Sequence, residues 1–540
     1  MPHFPFLSFG SCFSLSDAEP SPYMWPYCTQ PLYHSAFPII VNTTILNGID
    51  VTGVFAEEPQ WIPDLDHNGQ LLHVDFTYSR ALWPWSGYLA LHIKVNAEGY
   101  NFNGIAKGVV RAVILSRNRR VTLELPVKAS IVPIPPRNRR LLWDQFHNLR
   151  YPSGYFPRDS LKLKNSPLDW HGDHIHTNYR EFYTYLRGLG YFVEVLGQPF
   201  TCFDANLYGT LIIADSEEEF FEEEVQKLQS DVRELGLSVI VAADWYNTGV
   251  MEKIRFFDEN TRQWWSPQTG GANVPALNNL LSDFGIQFTD KVYSGSVRMR
   301  SSTEARFTYN SGTSIGKFPE EGYVVRAPLK DEVLLELSGV TLVTRDVPIM
   351  GFLQLPGSQG RIVAFGDSSC FDSVFLKEED CYWLTKIFLD FASERLEDGL
   401  YLDVRSKFTP ADHQPLPPFH RSSTFALHSK VHGKTLPFCR ASHEQPGDHN
   451  QTDDHLVPDD ADSFFSGSRS GPHFSFTGPR PGEPTFFFPH ARGRGEEEKT
   501  RGLLDNMWPL TYILLLLAFV VLTVVISRQR SKKSFKLPNV

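Results

Sequence analysis

Gly312-Thr313-Ser314 spells a turn in which some serine peptidases present their nucleophile. A serine hydroxyl attacks a carbonyl only when a base takes its proton and a third group orients that base. Peptidases that use this turn supply the partners in the chain order Asp, His, Ser, within Asp-Thr-Gly or Asp-Ser-Gly and His-Gly-Thr or His-Gly-His stretches. Neither aspartate stretch occurs here, and the two His-Gly pairs continue as His171-Gly172-Asp173 and His432-Gly433-Lys434. The serine turn itself continues as "GTSIGKFP", without the Ala and Pro that should follow. Ser314 is expected to be structural, and no catalytic residue is assigned.

Two further sets can be weighed. Asp215, Asp244 and Asp367 each follow an apolar run that reads as a strand. In an open parallel sheet, ligands bind beyond the carboxyl ends of the strands. The three carboxylates are therefore a candidate ligand crevice, with "GDSS" and Gly270-Gly271 supplying backbone turns. The alternative is that they only cap helices, as Asp215 beside Ser216 suggests. An amidotransferase elbow, Gly-x-Cys-x-Gly, is missing. In "DWHGDHIHTN", His171, Asp173, His174 and His176 have metal-binding chemistry. Without a distant third ligand they read as a hydrogen-bonded loop, with Thr177 or Asn178 capping the next helix. No metal and no cofactor is assigned.

The elements that would position these residues change character along the chain. Residues 39–131 alternate apolar and polar side chains, as in "LHVDFTYS" and "VTLELPVKASI". Period two means one buried and one wet face, as in an antiparallel β-sandwich. The Pro-rich connector "VPIPPRNRR" follows. A strand over Leu207–Ala214 then precedes a helical repeat of Phe221, Val225, Leu228, Val232 and Leu235. Ser216 and Glu219 form its expected capping box and Gly236 its stop. "LSVIVAAD" is a continuous apolar strand, which completes a βαβ unit. A helix over Tyr179–Leu189 leading into "YFVEVL", and "GRIVAFGDSS" leading to a helix around Trp383 and Phe388, repeat the pattern. The expected domains are an unassigned 1–21, a β-sandwich-like domain over 22–140 and an α/β domain with a largely parallel sheet over 141–395.

From there to 506 the chain is rich in Pro, His, Ser and Gly without apolar periodicity, and is expected to be a disordered stalk. "PLTYILLLLAFVVLTVVI" carries no charge and has the length of a membrane span, expected at 507–527. Arg528, Arg530, Lys532, Lys533 and Lys536 follow it, so 528–540 should stay cytosolic and the body should face the lumen. Sequons at Asn42 and Asn450 agree with a lumenal body. The N-terminus has no basic region and a broken apolar run, so the chain is expected to be missing its beginning. Six cysteines without a CxxC pair make neither a disulfide scaffold nor a structural zinc site. Cys370 and Cys381 either close a local loop or remain two buried thiols. A net charge of −11 spread over 540 residues excludes a general nucleic-acid footprint.

Several long stretches carry a family resemblance: "PYMWPYC", "ILNGIDVTG", "LWPWSGYLA", "LLWDQFHNLRYPSGYFPRD", "GDHIHTNYREFY", "GYFVEVLGQPFTCFDA", "DSEEEFF", "DWYNTGVM" and "DENTRQWWSPQTGGANVPALN". From Pro22 to Phe391 the chain resembles the site-1 protease family of subtilisin-like endopeptidases. The resemblance departs at Ser21, where the family pattern implies a cysteine near Cys28, and at Asn247-Thr248-Gly249, which is no sequon. It implies a region C-terminal to the catalytic domain, in a single-pass protein of the Golgi and endoplasmic reticulum. The implied activity of that family is cleavage of lumenal loops of membrane-bound transcription factor precursors, after Arg-x-hydrophobic-x motifs. This chain would supply the accessory and anchoring part without a triad. A free-standing α/β ligand-binding module and a tail-anchored interaction protein are the competing readings.

Overall fold

The computed structural model describes residues 30–439, apart from 48–50, 117–118, 150–159, 162–172, 255, 259–261, 266–268, 301–303, 332–343, 377–379, 396–404, 410–416, 418–430 and 432–433. The expected N-terminal stretch, Asn450, the 507–527 span and the 528–540 tail lie outside the described residues. Among the described residues, no helix is long and apolar enough to cross a membrane.

The alternating region folds as two antiparallel sheets. Strands β1 (Ile39–Asn47), β4 (Leu72–Tyr78) and β6 (Trp85–Val95) form one, in the order β1-β6-β4. The other holds β2 (Gly53–Phe55), β3 (Gln60–Pro63), β5 (Ala81–Leu82), β7 (Gly104–Ser116) and β8 (Arg119–Ile131), in the order β3-β7-β2-β5 with β8 along β7. Val41, Val74, Leu91 and Ile93 of the first sheet share a core with Ala106, Val110, Leu125 and Val127 of the second. Alternate residues of β8 turn inward, as their period predicts. Pro126 is tolerated there because, among the described residues, β8 is an edge strand that pairs along its length with β7, apart from a bridge between Leu32 and Ile131 at its end.

The α/β region is built on β9 (Arg140–Asp144), β10 (Phe192–Leu196), β11 (Thr210–Ala214) and β12 (Ser238–Ala242). Two small antiparallel pairs stand apart: β13 (Phe256–Asp258) with β14 (Gln263–Trp265), and β15 (Gln287–Phe288) with β18 (Ile315–Lys317). The main sheet is completed by β16 (Tyr293–Arg300), β17 (Glu304–Gly312), β19 (Tyr323–Asp331), β20 (Thr344–Gln354), β21 (Arg361–Phe365) and β22 (Arg405–Ser406). Its order is β10-β9-β11-β12-β21-β20-β19-β16-β17, with β22 along β19. The first five strands are parallel. The rest pair antiparallel. The sheet is therefore mixed, not largely parallel, because the described residues of 293–354 contribute antiparallel strands.

Among the described residues, six α-helices cover it: α1 (Arg180–Gly188), α2 (Glu222–Arg233), α3 (Thr248–Lys253), α4 (Val274–Leu281), α5 (Ser373–Leu376) and α6 (Cys381–Leu389). Successive strand residues point to opposite faces, and both faces are packed. Ile212, Ala214 and Ile240 meet Phe182 and Leu186 of α1 and Leu384 and Phe388 of α6. Leu211, Ile213 and Val239 meet Leu228 of α2 and Leu277 of α4. This double burial is why β11 and β12 read as unbroken apolar runs.

Three local expectations change. The Leu207–Ala214 strand begins at Thr210, after a short 3-10 turn over Ala205–Leu207. The helix begins at Glu222, and its first turn is closed by Glu224, whose carboxylate accepts from Phe221 N at 2.8 Å. Ser216 and Glu219 precede the helix as buried irregular chain and form no capping box. Part of the expected stalk also belongs to this fold: β22 pairs with β19, Phe408 is buried and Cys439 bonds Cys202. Isolated anchors of this kind have no period, so apolar spacing does not report them.

Sandwich and α/β region meet at a buried ion pair. Arg140, first in β9, donates through Nη2 to Glu194 Oε1 of β10 at 2.8 Å, and both side chains are almost wholly buried. The Tyr33 hydroxyl donates to the same oxygen. Phe37 N and the Tyr208 hydroxyl donate to Oε2, at 2.8 and 2.7 Å. The guanidinium lies between the rings of Tyr33 and Tyr208, 5.1 and 4.8 Å from their centroids. It also reaches the carbonyl and hydroxyl of Ser35 at 3.2 Å. Burial opposes the Arg140 charge, but Glu194 and the two phenols outweigh it and hold its pKa above the usual value. Removing one partner strands the other charge, at a cost of about 3–5 kcal/mol. Glu194→Ala should therefore lower stability by about that amount, and calorimetry should show the sandwich and α/β transitions separating. A single transition displaced by less than about 1 kcal/mol would show that the knot does not couple them.

Candidate functional site

The parallel strands run in the chain order 2-1-3-4-5, and an open sheet of this order has its switch point between the first and third strands, here β9 and β11. Beyond their carboxyl ends the structure gathers the three strand-end aspartates. Asp215 follows β11, Asp244 follows β12 by two residues and Asp367 follows β21 by two. Their exposures are 0%, 0% and 1%, so the carboxyl edge is closed over them.

Each carboxylate is held by neighbouring backbone or hydroxyls. Asp367 accepts from Asn310 N at 2.7 Å and Ser369 N at 2.9 Å. Asp244 accepts from Trp245 N and, at 3.1 Å, from the Ser368 hydroxyl. The Tyr179 hydroxyl donates to Asp215 Oδ2. Gly270-Gly271 lies directly on this cluster, and a Cβ on Gly271 would stand 2.7 Å from Asp244 Cγ. Burial, then Asp215 and Asp367, pushes the Asp244 carboxyl well above the usual range. Burial, then Asp173, does the same for Asp215. Asp215 is also left-handed at φ 48°, and its Oδ1, like the Ser216 hydroxyl, is buried without a hydrogen-bond partner among the described residues. An unmade bond to a buried polar atom costs about 1–3 kcal/mol, so the cluster is a place where the fold tolerates strain.

Ser314 lies beside this edge and is fully buried. Its hydroxyl is 2.8 Å from the Thr289 hydroxyl, and its carbonyl accepts Thr289 N at 2.9 Å. Thr313 N donates to the Gly366 carbonyl at 2.7 Å, which ties the Gly-Thr-Ser turn to the chain just before Asp367. The turn is a buttress of the sheet, and its serine meets a threonine where a nucleophile would need a base.

The switch point holds residues that sequence reasoning missed. His147 is wholly buried between two carboxylates: Nδ1 is 2.8 Å from Asp144 Oδ2 and Nε2 is 3.3 Å from Glu224. Phe200 and Phe220 enclose the ring, at 4.8 and 4.2 Å between centroids. Burial works against the imidazolium, but Asp144 and Glu224 outweigh it and raise its pKa to about 9. The His147 carbonyl accepts from Glu217 N and Glu218 N, and Asn148 donates to the Ala214 carbonyl. These bonds sew the two strand ends together. The spacing Asp144-x-x-His147 directly after an apolar strand was the available signal; Glu224, far along the chain, gave none.

The remaining candidates are placed as follows. His171 lies outside the described residues. Asp173 accepts from Asn178 Nδ2 at 2.8 Å, His174 Nδ1 accepts His176 N at 3.0 Å, and the two rings meet edge-on at 4.8 Å. Burial, then His174, keeps the His176 pKa well below its usual value. Among the described residues, no group of three or more such side chains is arranged to hold a metal. Neither Thr177 nor Asn178 caps α1; Tyr179 stands at that position. Cys370 and Cys381 are bonded with Cα atoms 5.0 Å apart, and Cys202 is bonded to Cys439, a pairing the spacing did not suggest. Asn42 sits in mid-strand on β1, half-buried, between the inward Val41 and Thr43.

Buried groups whose pKa the fold raises make stability fall as pH rises. The Asp244 carboxyl, raised in the fold, contributes stability below the unfolded carboxyl value and loses it as pH passes the folded one. His147 contributes fully below about 6.5 and loses its contribution, roughly 3 kcal/mol, as pH rises through about 9. Urea midpoints should therefore decline from pH 6.5 to 9.5. His147→Gln should remove the part of that decline centred near pH 9 while lowering stability at neutral pH. Asp244→Asn keeps an acceptor for Trp245 N and should stay within about 1 kcal/mol of the parent at pH 8. A parent profile flat over this range would refute the assignment.

Comparisons with known proteins agree with this division. Residues 14–134 match the family model "MBTPS1, third Ig-like domain", and residues 135–406, just over half the chain, match "MBTPS1, fourth GATase-like domain". The human membrane-bound transcription factor site-1 protease is 51% identical over 390 residues, covering 70% of this chain and 37% of that protein. Subtilisin-like protease SBT6.1 of Arabidopsis thaliana is 45% identical over 437 residues, covering 78% and 41%. The chain thus spans well under two thirds of these relatives. Among solved structures, the mmIFT52 N-terminal domain aligns at 14% identity with a TM-score of 0.30, over 47% of this chain and 97% of that one, and carries no argument. With both domains matched by models of one family, the chain belongs to the family of the membrane-bound transcription factor site-1 protease.

Proposed function

We propose that these residues form the accessory and membrane-anchoring region of a site-1-protease-type endopeptidase and do not themselves cut peptide bonds. The observation that carries the reading is Ser314: buried, bonded to Thr289, and serving as a buttress in a matched GATase-like domain. The whole enzyme would cleave lumenal loops of membrane-bound transcription factors after Arg-x-hydrophobic-x motifs. Sterol regulatory element-binding proteins and stress-response activating transcription factors are the substrates the family implies. The body would lie in the Golgi and endoplasmic-reticulum lumen, which suits the Cys202–Cys439 and Cys370–Cys381 bonds. The apolar 509–526 would cross the membrane once, with the basic tail cytosolic. The strand-end carboxylates Asp215, Asp244 and Asp367 are kept as the place where a ligand of this domain would act, since among the described residues Asp215 Oδ1 and the Ser216 hydroxyl have no partner there.

Two experiments test this. A fluorophosphonate probe should leave Ser314 unlabelled, and Ser314→Ala should cost about 1 kcal/mol and change no peptide hydrolysis. Replacing the matching region of the human relative with residues 14–406 should preserve cleavage of a membrane-tethered reporter carrying an Arg-x-x-Leu loop. Labelling at Ser314 would refute the non-catalytic role, and a chimera that matures but leaves the reporter uncut would refute the accessory one.

A further inference from the structure

At the opposite end of the parallel strands lies a cavity of about 380 Å³. Arg137 reaches it from the connector before β9, Arg233 from the end of α2, and Arg395 from the turn after α6. The chain before β12 and β21 completes the wall through Gly236, Gly357 and Ser358. Gly236 and Gly357 both adopt positive φ, at 67° and 73°, which brings bare backbone to the rim.

The three guanidiniums are oriented by neutral carbonyl groups. Arg137 donates to the carbonyls of Tyr208, Ala205 and Leu235, at 2.8, 3.0 and 2.8 Å. Arg395 donates to the carbonyls of Gln359 and Gly236, and to the Gln359 side-chain oxygen at 3.4 Å. Arg233 donates to the Asp283 carbonyl at 2.9 Å and lies over the Phe284 ring. Among the described residues none of the three forms an ion pair, whereas Arg111, Arg120, Arg139 and Arg140 all do. Arg137 Nη1, Arg233 Nε and Nη1, and Arg395 Nε have no acceptor among the described residues. One carboxylate, Glu234, lines the rim. Burial, then Arg361 and Arg137, depresses the Arg395 pKa, as expected of cations crowded without a counter-charge.

We propose that this cavity binds a tetrahedral oxyanion, phosphate or sulfate, carried on a small hydrophilic body the size of one sugar. Planar guanidiniums with free N–H groups match such oxyanions by paired hydrogen bonds. The volume exceeds that of a bare anion and sits at the small end of ligand cavities. Among the described residues no aromatic ring lines the wall, so a stacked base is disfavoured and a polyhydroxyl body suits the polar rim. The site is distinct from the carboxyl edge, where the aspartates are sealed.

Titration calorimetry on the full-length chain tests the assignment with glucose 6-phosphate, glucose 6-sulfate, inorganic phosphate and glucose, at low and high salt. Both esters should bind, inorganic phosphate more weakly and glucose not at all, with affinity falling as salt rises. Arg233→Gln and Arg395→Gln should each weaken the esters by about tenfold. Arg233 is exposed, so Arg233→Gln should keep the parent melting temperature and separates lost binding from lost folding. Inorganic phosphate binding as tightly as the esters would overturn the sugar-sized body. Ester binding unchanged in the double variant, no ester binding at all, or tighter binding of a glutamate-rich peptide would overturn the site.

Discussion

Glu194 is one carboxylate with five donor contacts, and the arrangement of both domains depends on it. Taking Arg140 and Glu194 out of water costs several kcal/mol per ion, more than their mutual attraction alone returns. What makes the pair tenable is that every lone-pair direction is used, by two tyrosine hydroxyls, one backbone N–H and the guanidinium. Those donors come from three separate places and converge on β10: the segment before the sandwich, the end of the connector and the approach to β11. An arrangement that moved any of them would leave a buried charge uncompensated. The knot therefore specifies an orientation more than it adds stability, and a lysine at position 140 would lose both the paired nitrogens and the contact with the tyrosine faces.

The two ends of the parallel sheet gather opposite residue types, acidic at one and basic at the other. The carboxyl end concentrates Asp215, Asp244 and Asp367 under a closed cover, while the amino end presents Arg137, Arg233 and Arg395 around an open cavity. The strand-end rule directs attention to the first, because loops beyond carboxyl ends normally leave a crevice. Here those loops are stitched, across the switch point by the His147 carbonyl and beside β21 by the Gly-Thr-Ser turn, and the cavity lies on the other side.

What the residues reveal in advance follows from the range of each interaction. Alternation along 39–131 and the apolar runs at 210–214 and 238–242 are local, so the sandwich and the βαβ core could be read directly. The strand-end aspartates could be grouped because parallel strands deliver their ends to one edge. The antiparallel half of the sheet escaped notice, since hairpin pairing shows only in register. His147 with Glu224, Arg140 with Glu194 and Cys202 with Cys439 were equally hidden. Each joins residues between 54 and 237 positions apart, and nothing in either local sequence names its partner. Ser216 misled for the opposite reason: its spacing to Glu219 is a valid local cap, overridden when Glu224 closed the helix from inside.

Gln30 has a consequence of another kind. Its side-chain amide donates to the Val193 carbonyl at 2.9 Å and accepts Val193 N at 2.8 Å, reproducing the exchange a neighbouring strand would make. Val193 belongs to β10, the outermost strand on the parallel side of the main sheet. A single glutamine thus plugs the template on which another chain could continue the sheet. Clipping the chain just before Tyr33 would uncover that template while leaving the buried knot in place, and the folded protein would acquire an edge fit for pairing with itself.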